Sequence, residues 1–190
     1  MLETIKICQK CKLHLYQPPL LDLPRKNAVM VVGLSAKKIT TNSEIPLDNN
    51  TKSGQLVTDM EMIASQYNLI LYRTNLVKCP PLDDVGTLTY PTHAQINTCF
   101  QNIITEINAL NPPIIVLFGN IVQTEFEQKF NLSIGSAKNC SLPYQEKHGK
   151  CFVASYHPSY IMRSKKRREQ YLKNFSSFLD KYTKRTAIAN

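Results

Sequence analysis

The sequence predicts an α/β fold, a three-layer α/β/α sandwich around a central four-stranded parallel sheet, and two observations support this prediction. Four short apolar runs rich in Val and Ile recur along the chain, at residues 28–34, 71–77, 114–119 and 151–156. Stretches with apolar residues at helical spacing alternate with these runs. Runs that are apolar on both faces suit strands covered by helices on both sides of a sheet, and such alternation is typical of parallel βα units.

The first half of the chain supplies two strands and two helices. Residues 28–34 (AVMVVGL) predict the first strand, and a helix over 53–67 connects it to the second strand at 71–77 (LYRTNLV). A second helix over 92–110 is opened by Pro91-Thr92 and ended by Asn111-Pro112-Pro113, since proline is tolerated at the start of a helix and breaks its continuation.

The second half repeats the pattern with strands at 114–119 (IIVLFG) and 151–156 (CFVASY), a helix from Asn120 and a helix over 165–181. The last helix has an apolar face opposite its charges, formed by Tyr171, Leu172, Phe175, Phe178 and Leu179. The carboxyl ends of parallel strands meet at one edge of the sheet, so we expect a ligand site at that edge.

The chain of 190 residues is short enough for one domain, which we place at 1–182, followed by a basic C-terminal tail at 183–190. Its 43% hydrophobic and 19% charged residues are typical of a globular protein. The sequence has neither an apolar stretch of about 18 residues nor the order of a secretory signal. We therefore expect a cytoplasmic monomer that does not contact membranes.

The net charge of +9 favours a polyanionic partner, because Lys and Arg gain affinity by releasing counterions from phosphates. Nine of the cations and only two acids lie between Arg163 and Arg185, a local charge of +7. The simplest interpretation of such a run is a solvated helix face with a basic end. The motif immediately before it, described below, favours DNA binding instead.

Six cysteines in a cytoplasmic chain of this size indicate metal ligands or buried thiols, not disulfides. Cys8 and Cys11 form a CxxC pair, and Cys79 and Cys99 flank the loop after the second strand. Four thiolates bind either zinc or a 4Fe–4S cluster, and the spacing alone leaves both open. Cys140 and Cys151 fit neither pattern and are expected to be inert.

Two segments resemble the iron–sulfur (family 4) uracil-DNA glycosylases, and the likeness extends from about residue 8 to 179. Residues 74–81 (TNLVKCPP) are similar to that family's strand and loop around a cluster cysteine, and 154–163 (ASYHPSYIMR) to its segment around His-Pro-Ser. The resemblance implies a 4Fe–4S cluster, with zinc as the alternative, on four ligands: Cys8, Cys11, Cys79 and Cys99.

The same resemblance implies a pocket for a base extracted from DNA. Asn75 would match the N3–H and O4 of uracil, and His157 would donate to O2 as the glycosidic bond breaks. Leu47 stands where the family has a stacking ring, and Gly33 and Ser35 would line the pocket. The DNA contacts implied are Ser53, Ser159, Arg163, Lys165, Lys166, Arg167 and Arg168. Without the resemblance, Asn75 and His157 would be interpreted as a strand-end amide and a surface histidine.

The sequence departs from the family at the motif that positions the attacking water. The family has Gly-Glu-Ala-Pro-Gly after its first strand, whereas this chain has Gly33-Leu34-Ser35-Ala36-Lys37. We therefore expect a protein that has lost most or all base excision and acts by binding DNA or a protein of DNA replication or repair. The alternative is an active DNA glycosylase that removes uracil or another damaged base and uses Glu44, Asp48 or substrate-assisted chemistry. A zinc-stabilised adaptor is a weaker alternative.

Overall fold

Five strands form a single sheet in a computed structural model that describes residues 2–41 and 43–189, with side chains up to residue 187. The strands are β1 (Val29–Ser35), β2 (Leu71–Val77), β3 (Ile114–Phe118), β4 (Tyr144–Lys147) and β5 (Lys150–Ser155). Their spatial order is β2-β1-β3-β5-β4. The four predicted strands are parallel and the predicted α/β class is confirmed.

The fifth strand, β4, is an addition to the predicted four-stranded sheet. It pairs antiparallel with β5 at the edge of the sheet and forms a hairpin with it. Its sequence, YQEK, alternates between exposed and half-buried side chains. A four-residue polar strand has no apolar run and therefore carries none of the signal by which the other strands were recognised.

Two layers of helices enclose the sheet. The helices are α1 (Glu3–Lys6), α2 (Lys52–Ser65), α3 (His93–Leu110), α4 (Asn120–Phe130), α5 (Pro158–Ile161) and α6 (Lys165–Ala189), and a 3-10 turn spans Lys12–Leu15. Helices α3 and α4 pack against the face of the sheet that includes Met30 and Val32. Helices α2 and α6 pack against the opposite face, which includes Val29 and Val31. The predicted three layers follow from this alternation along the buried strands.

Local signals fix where α3 lies. Thr92 accepts a hydrogen bond from the backbone N–H of Gln95, whose side chain accepts one from the backbone N–H of Thr92 in return. This capping box satisfies two of the free amides at the start of the helix. The helix ends at Asn111, whose left-handed backbone (φ 46°) suits asparagine better than most residues.

The last helix continues past the boundary set at residue 182. Helix α6 runs to Ala189, so most of the segment expected as a basic tail belongs to its final turns, and Asn190 lies outside the described residues. Lys184 and Asp180, four residues apart, form an ion pair along this helix. Among the described helices, none is both long and apolar enough to cross a bilayer.

Candidate functional site

The carboxyl ends of the parallel strands open into a cleft of about 360 Å³. Strands β1 and β2, the turn after β5 and the loop before α2 all contribute side chains to it. Six residues predicted from the sequence line this one cleft: Gly33, Ser35, Leu47, Ser53, Asn75 and His157. Other residues that no sequence motif indicated also line the cleft, among them Lys37, Leu88, Thr89 and Tyr90.

Asn75 is the buried polar group of the cleft. Its side chain is 3% exposed and makes no hydrogen bond with any described part of the chain. Gly33 is its register partner across the sheet, and a Cβ atom on Gly33 would lie only 2.4 Å from Asn75 Oδ1. The amide is therefore not used to satisfy the strand end. Among the described residues no fully buried side-chain nitrogen or oxygen lacks a partner, so the unbonded amide reaches the surface of the cleft, where its donor and acceptor are available to a ligand.

Leu47 covers the same end of the cleft. One of its methyl groups would lie 3.3 Å from a Cβ placed on Gly33, so it packs directly over that glycine. Its backbone is left-handed (φ 52°), which is unusual for a leucine. Arg73 stabilises this conformation by donating from Nη1 to the Leu47 carbonyl at 3.0 Å, while Glu61 holds the other guanidinium nitrogen at 2.7 Å. Leu47 therefore contributes an apolar surface to the cleft.

Glu44 organises the loop and does not line the cleft. Its buried carboxylate accepts hydrogen bonds from the Thr40 backbone and hydroxyl at 2.6 Å each, and from the Thr41 backbone at 3.0 Å. It also accepts one from Asn50 and is paired with Lys37. The bond to Lys37, followed by those to Thr40, lowers the pKa of Glu44 far below its usual range. A carboxylate so fully bonded is a poor proton acceptor.

Asp48, in contrast, lines the cleft. Its Oδ1 accepts a hydrogen bond from the Asn50 backbone at 3.0 Å. Its Oδ2 has no hydrogen-bond partner within the described ranges. Of the two acids considered from the sequence, only Asp48 has a carboxylate oxygen free beside Asn75.

His157 follows β5 and caps the short helix α5. Its Nδ1 accepts a hydrogen bond from the Ser159 backbone N–H at 3.2 Å and lies 2.8 Å from the Ser159 hydroxyl oxygen. Partial burial in the cleft lowers the pKa of His157 by disfavouring the charged ring. With Nδ1 acting as an acceptor in the neutral ring, the proton resides on Nε2, which can donate to a ligand.

We expect His157 to titrate below the usual pKa of a histidine when it is followed by NMR of the folded protein. In the unfolded chain the ring binds a proton at a higher pH. The native state therefore binds fewer protons, and this residue reduces stability as the pH falls below about 6.5. The same resonance in urea, assigned with His157→Gln, is the internal reference. A folded-state midpoint equal to or above the urea value would contradict the expectation.

The predicted DNA-contacting cations differ in how free they are. Arg163, just before α6, and Lys166, in its first turn, are exposed. Lys165 is also exposed and lies 3.9 Å from the carboxylate of Glu169. Arg168 instead donates from two nitrogens to the Asp59 carboxylate, at 2.8 Å each, and so holds α6 against α2. Arg167 lies 4.0 Å from the centre of the Tyr160 ring. Sequence alone could not separate these roles, because Asp59 is distant along the chain.

The four cysteines predicted as metal ligands lie close together in the fold. Cys79 and Cys99 are buried, and Cys8 and Cys11 are half-buried. Burial, and then the proximity of the other three thiols, raises the pKa of Cys79 to about 12. Asn102, missed from the sequence, places its amide nitrogen 3.6 Å from the sulfurs of both Cys8 and Cys99. The Lys78 backbone N–H donates to Cys99 at 3.3 Å.

This all-sulfur set, with N–H donors beside it, fits a cluster held by thiolates. The four thiol side chains are not arranged as a complete coordination sphere. Within the described residues, no three or more Cys, His, Asp or Glu side chains stand as a group that could hold an ion. The donor chemistry therefore matches the predicted cofactor, whereas its coordination geometry stays a prediction.

Comparison with known proteins adds an independent line of evidence. The family model of the uracil DNA glycosylase superfamily matches residues 22–180. The type-4 uracil-DNA glycosylase of Thermotoga maritima is 26% identical over 171 residues, which cover 86% of this chain and 82% of that protein. The type-4 uracil-DNA glycosylase of Archaeoglobus fulgidus is 25% identical over 187 residues, covering 92% and 88%. That of Saccharolobus solfataricus is 27% identical over 170 residues, covering 83% and 73%.

Proposed function

Because the chain belongs to the uracil DNA glycosylase superfamily, we propose that it binds DNA and takes an extracted uracil-like base into the cleft, with little or no excision. The observation that carries this proposal is the Asn75 amide, which belongs to a residue only 3% exposed, has no hydrogen-bond partner in the described chain and faces the cleft. A buried amide of this kind suits a ligand that offers one donor and one acceptor on the same edge.

The other lining groups suit the same ligand. The N3–H and O4 of uracil match the acceptor and donor of Asn75. The Nε2–H of His157 is suited to the O2 oxygen, and Leu47 offers an apolar surface to the ring. The exposed cations Arg163, Lys165 and Lys166 would hold the phosphate backbone, which positions the strand without reading its sequence.

The proposed lack of excision rests on what surrounds the position of the attacking water. At the end of β1 the chain offers Leu34 and Ser35, neither of which carries a carboxylate. The carboxylate of Glu44 is already hydrogen-bonded within its own loop. Hydrolysis of a glycosidic bond needs a group that positions or deprotonates water and offsets the charge of the sugar cation. Without such a group, the site would hold a base without releasing it.

A second candidate function, base excision, is favoured by one specific observation. The free Oδ2 of Asp48 lines the same cleft as Asn75 and His157. If Asp48 reaches the sugar of a bound nucleotide, it could accept the proton of the attacking water while His157 donates to O2. The enzyme would then have moved its catalytic carboxylate from the end of β1 to the loop before α2.

The cysteine group would serve both functions in the same structural way. Cys8, Cys11, Cys79 and Cys99 would hold a 4Fe–4S cluster, with zinc as the alternative. When bound, it would join the N-terminal segment, the end of β2 and helix α3. Asn75 lies four residues before Cys79, so this link would stabilise the strand end that presents the amide.

We expect protein in excess over a labelled uracil-containing single strand to bind it and to leave it intact after treatment with alkali. Replacing uracil by 3-methyluracil, which lacks the N3–H, or Asn75 by alanine, should weaken binding by about ten- to a hundredfold, because polar groups of the cleft lose their partners. Asn108→Ala, an exposed position on α3, is the matched control and should bind normally.

Two outcomes would overturn this proposal in different ways. Alkali-labile cleavage that is lost in both Asp48→Asn and His157→Ala would replace it by the second candidate. Equal affinity for uracil and 3-methyluracil strands, unchanged in Asn75→Ala, would show that the cleft does not capture a base through this amide.

A further inference from the structure

A second pocket of about 270 Å³ adjoins the cleft. It lies between the start of α4 and the turn that follows β5. Leu34, Tyr90 and His157 line both cavities, so the two are separated only by shared side chains. The back of the second pocket is apolar and buried, formed by Phe118 and Val122.

The mouth of this pocket is lined by aromatic rings. Tyr90 is 78% exposed and Tyr160 is 39% exposed. The rings of Tyr156 and Tyr160 lie 4.8 Å apart, centre to centre. Across residues 2–41 and 43–189, no hydrogen bond is made by the hydroxyl group of any of these three tyrosines. Exposed rings gathered at a cavity are typical of a binding surface.

A cation is fixed beside the same rings. The guanidinium of Arg167 lies 4.0 Å from the centre of the Tyr160 ring, and its Nη1 donates to the Tyr160 carbonyl at 2.8 Å. The exposed cations Arg163 and Lys166 lie on the same segment. Stacking rings next to cations are the combination by which proteins hold single-stranded nucleic acid.

We propose that the second pocket holds the nucleobase next to the extracted one on the same DNA strand, stacked on the exposed ring of Tyr90 and in contact with the edge of Tyr160. This inference rests on the proposed function, because it needs a first base in the cleft. Because the two cavities share walls, a base in each cavity would lie next to the other, as consecutive bases do along one strand. Stacking uses the face that every base has, so the pocket would accept any of the four bases. In duplex DNA, the neighbouring base would also have to leave its base pair to enter this pocket. We therefore expect unpaired DNA to be the preferred ligand.

The test compares three single strands of equal length that contain one uracil. One strand has normal bases on both sides of the uracil, and the other two each lack one neighbouring base. We expect loss of the neighbouring base that occupies the second pocket to weaken binding about tenfold, measured by fluorescence anisotropy at one salt concentration.

The protein variants test whether Tyr90 contacts that base. Tyr90→Ala should bind the normal strand about tenfold more weakly and should not distinguish it from the strand that lacks the base, whereas Tyr90→Phe should behave as the native protein. Tyr16→Ala, an exposed tyrosine outside both pockets, is the matched control.

The outcomes separate this inference from the proposed function. Equal binding of all three strands, with a preference for uracil that still depends on Asn75, would overturn the second pocket alone. Binding with no preference for uracil would overturn both. A tenfold effect that persists unchanged in Tyr90→Ala and in Tyr160→Ala would place the neighbouring base elsewhere and also overturn the inference.

Discussion

Replacing Glu106 by leucine is expected to lower the free energy of unfolding by about 3–5 kcal/mol, a large share of the stability of a domain of this size. Glu106 is completely buried in α3 and forms an ion pair with Lys78, whose side chain is also completely buried. Leucine has a similar volume, so the loss would come from an ammonium group left without its partner in the core. Urea denaturation followed by circular dichroism measures the change.

The surrounding hydrogen bonds explain why the pair is tolerated. The Tyr72 hydroxyl donates to Glu106 at 2.7 Å, and the Thr74 hydroxyl lies 3.0 and 3.1 Å from its two oxygens. Lys78 also donates to Thr74. Burial and the nearby carboxylate of Glu106 both raise the pKa of Tyr72, so its hydroxyl stays a donor. A fully bonded network of this kind costs little while it is complete.

Two controls test that explanation. The double variant Lys78→Met with Glu106→Leu should be more stable than either single variant, and should fall short of the native protein by about 1–3 kcal/mol for the unpaired hydroxyls. Asp180→Ala removes an ion pair whose side chains are 72% and 43% exposed, and should change stability by less than about 1 kcal/mol. Losses that simply add in the double variant would contradict the proposed coupling.

The same network connects the cleft that contains Asn75 with the cysteine group. Lys78 is located between Asn75 and Cys79 at the end of β2, and Glu106 lies two turns after Cys99 on α3. The network therefore fixes the strand end against the helix on which one predicted ligand lies. We expect disruption of the pair to destabilise the cleft at the end of β2 as well as the fold.

The sequence could predict the parallel strands because each is a continuous apolar run of Val, Ile and Leu. Asn75 and His157 could be predicted because short local segments carry them. The strand β4 could not, since its four residues are polar and depend on pairing with β5. Local patterns thus predicted the elements that carry their own apolar signal, although their pairing joins distant parts of the chain.

The remaining site residues depend on contacts between distant segments. Glu44 and Asp48 are both acidic and only four residues apart, so the sequence does not distinguish their roles. In the folded loop, Glu44 is bonded to Thr40 and Lys37, whereas Asp48 lines the cleft. Tyr90 is part of a polar loop, and nothing near it in sequence indicates that it adjoins His157. The network of Lys78 and Glu106 likewise joins residues far apart in the chain.

The second large effect concerns the cysteines. Cys99→Ser is expected to abolish metal binding and to remove a large part of the roughly 5–15 kcal/mol that stabilises a typical domain, because a structural metal contributes folding free energy directly. Protein purified without oxygen should contain iron and acid-labile sulfide in equal amounts, and the variant should contain neither. Cys8→Ser and Cys11→Ser should behave similarly, although both residues are only half-buried.

Cys151→Ser is the matched control, because Cys151 is a buried cysteine outside the group. Burial raises its pKa to about 12, so it remains a neutral thiol in the core of β5. Its replacement should leave the metal content unchanged and cost about 1–3 kcal/mol for a buried hydroxyl. Zinc without sulfide in the native protein would favour the zinc alternative. Full metal content in Cys99→Ser would exclude this residue as a ligand and would leave Cys8, Cys11 and Cys79 as an incomplete set.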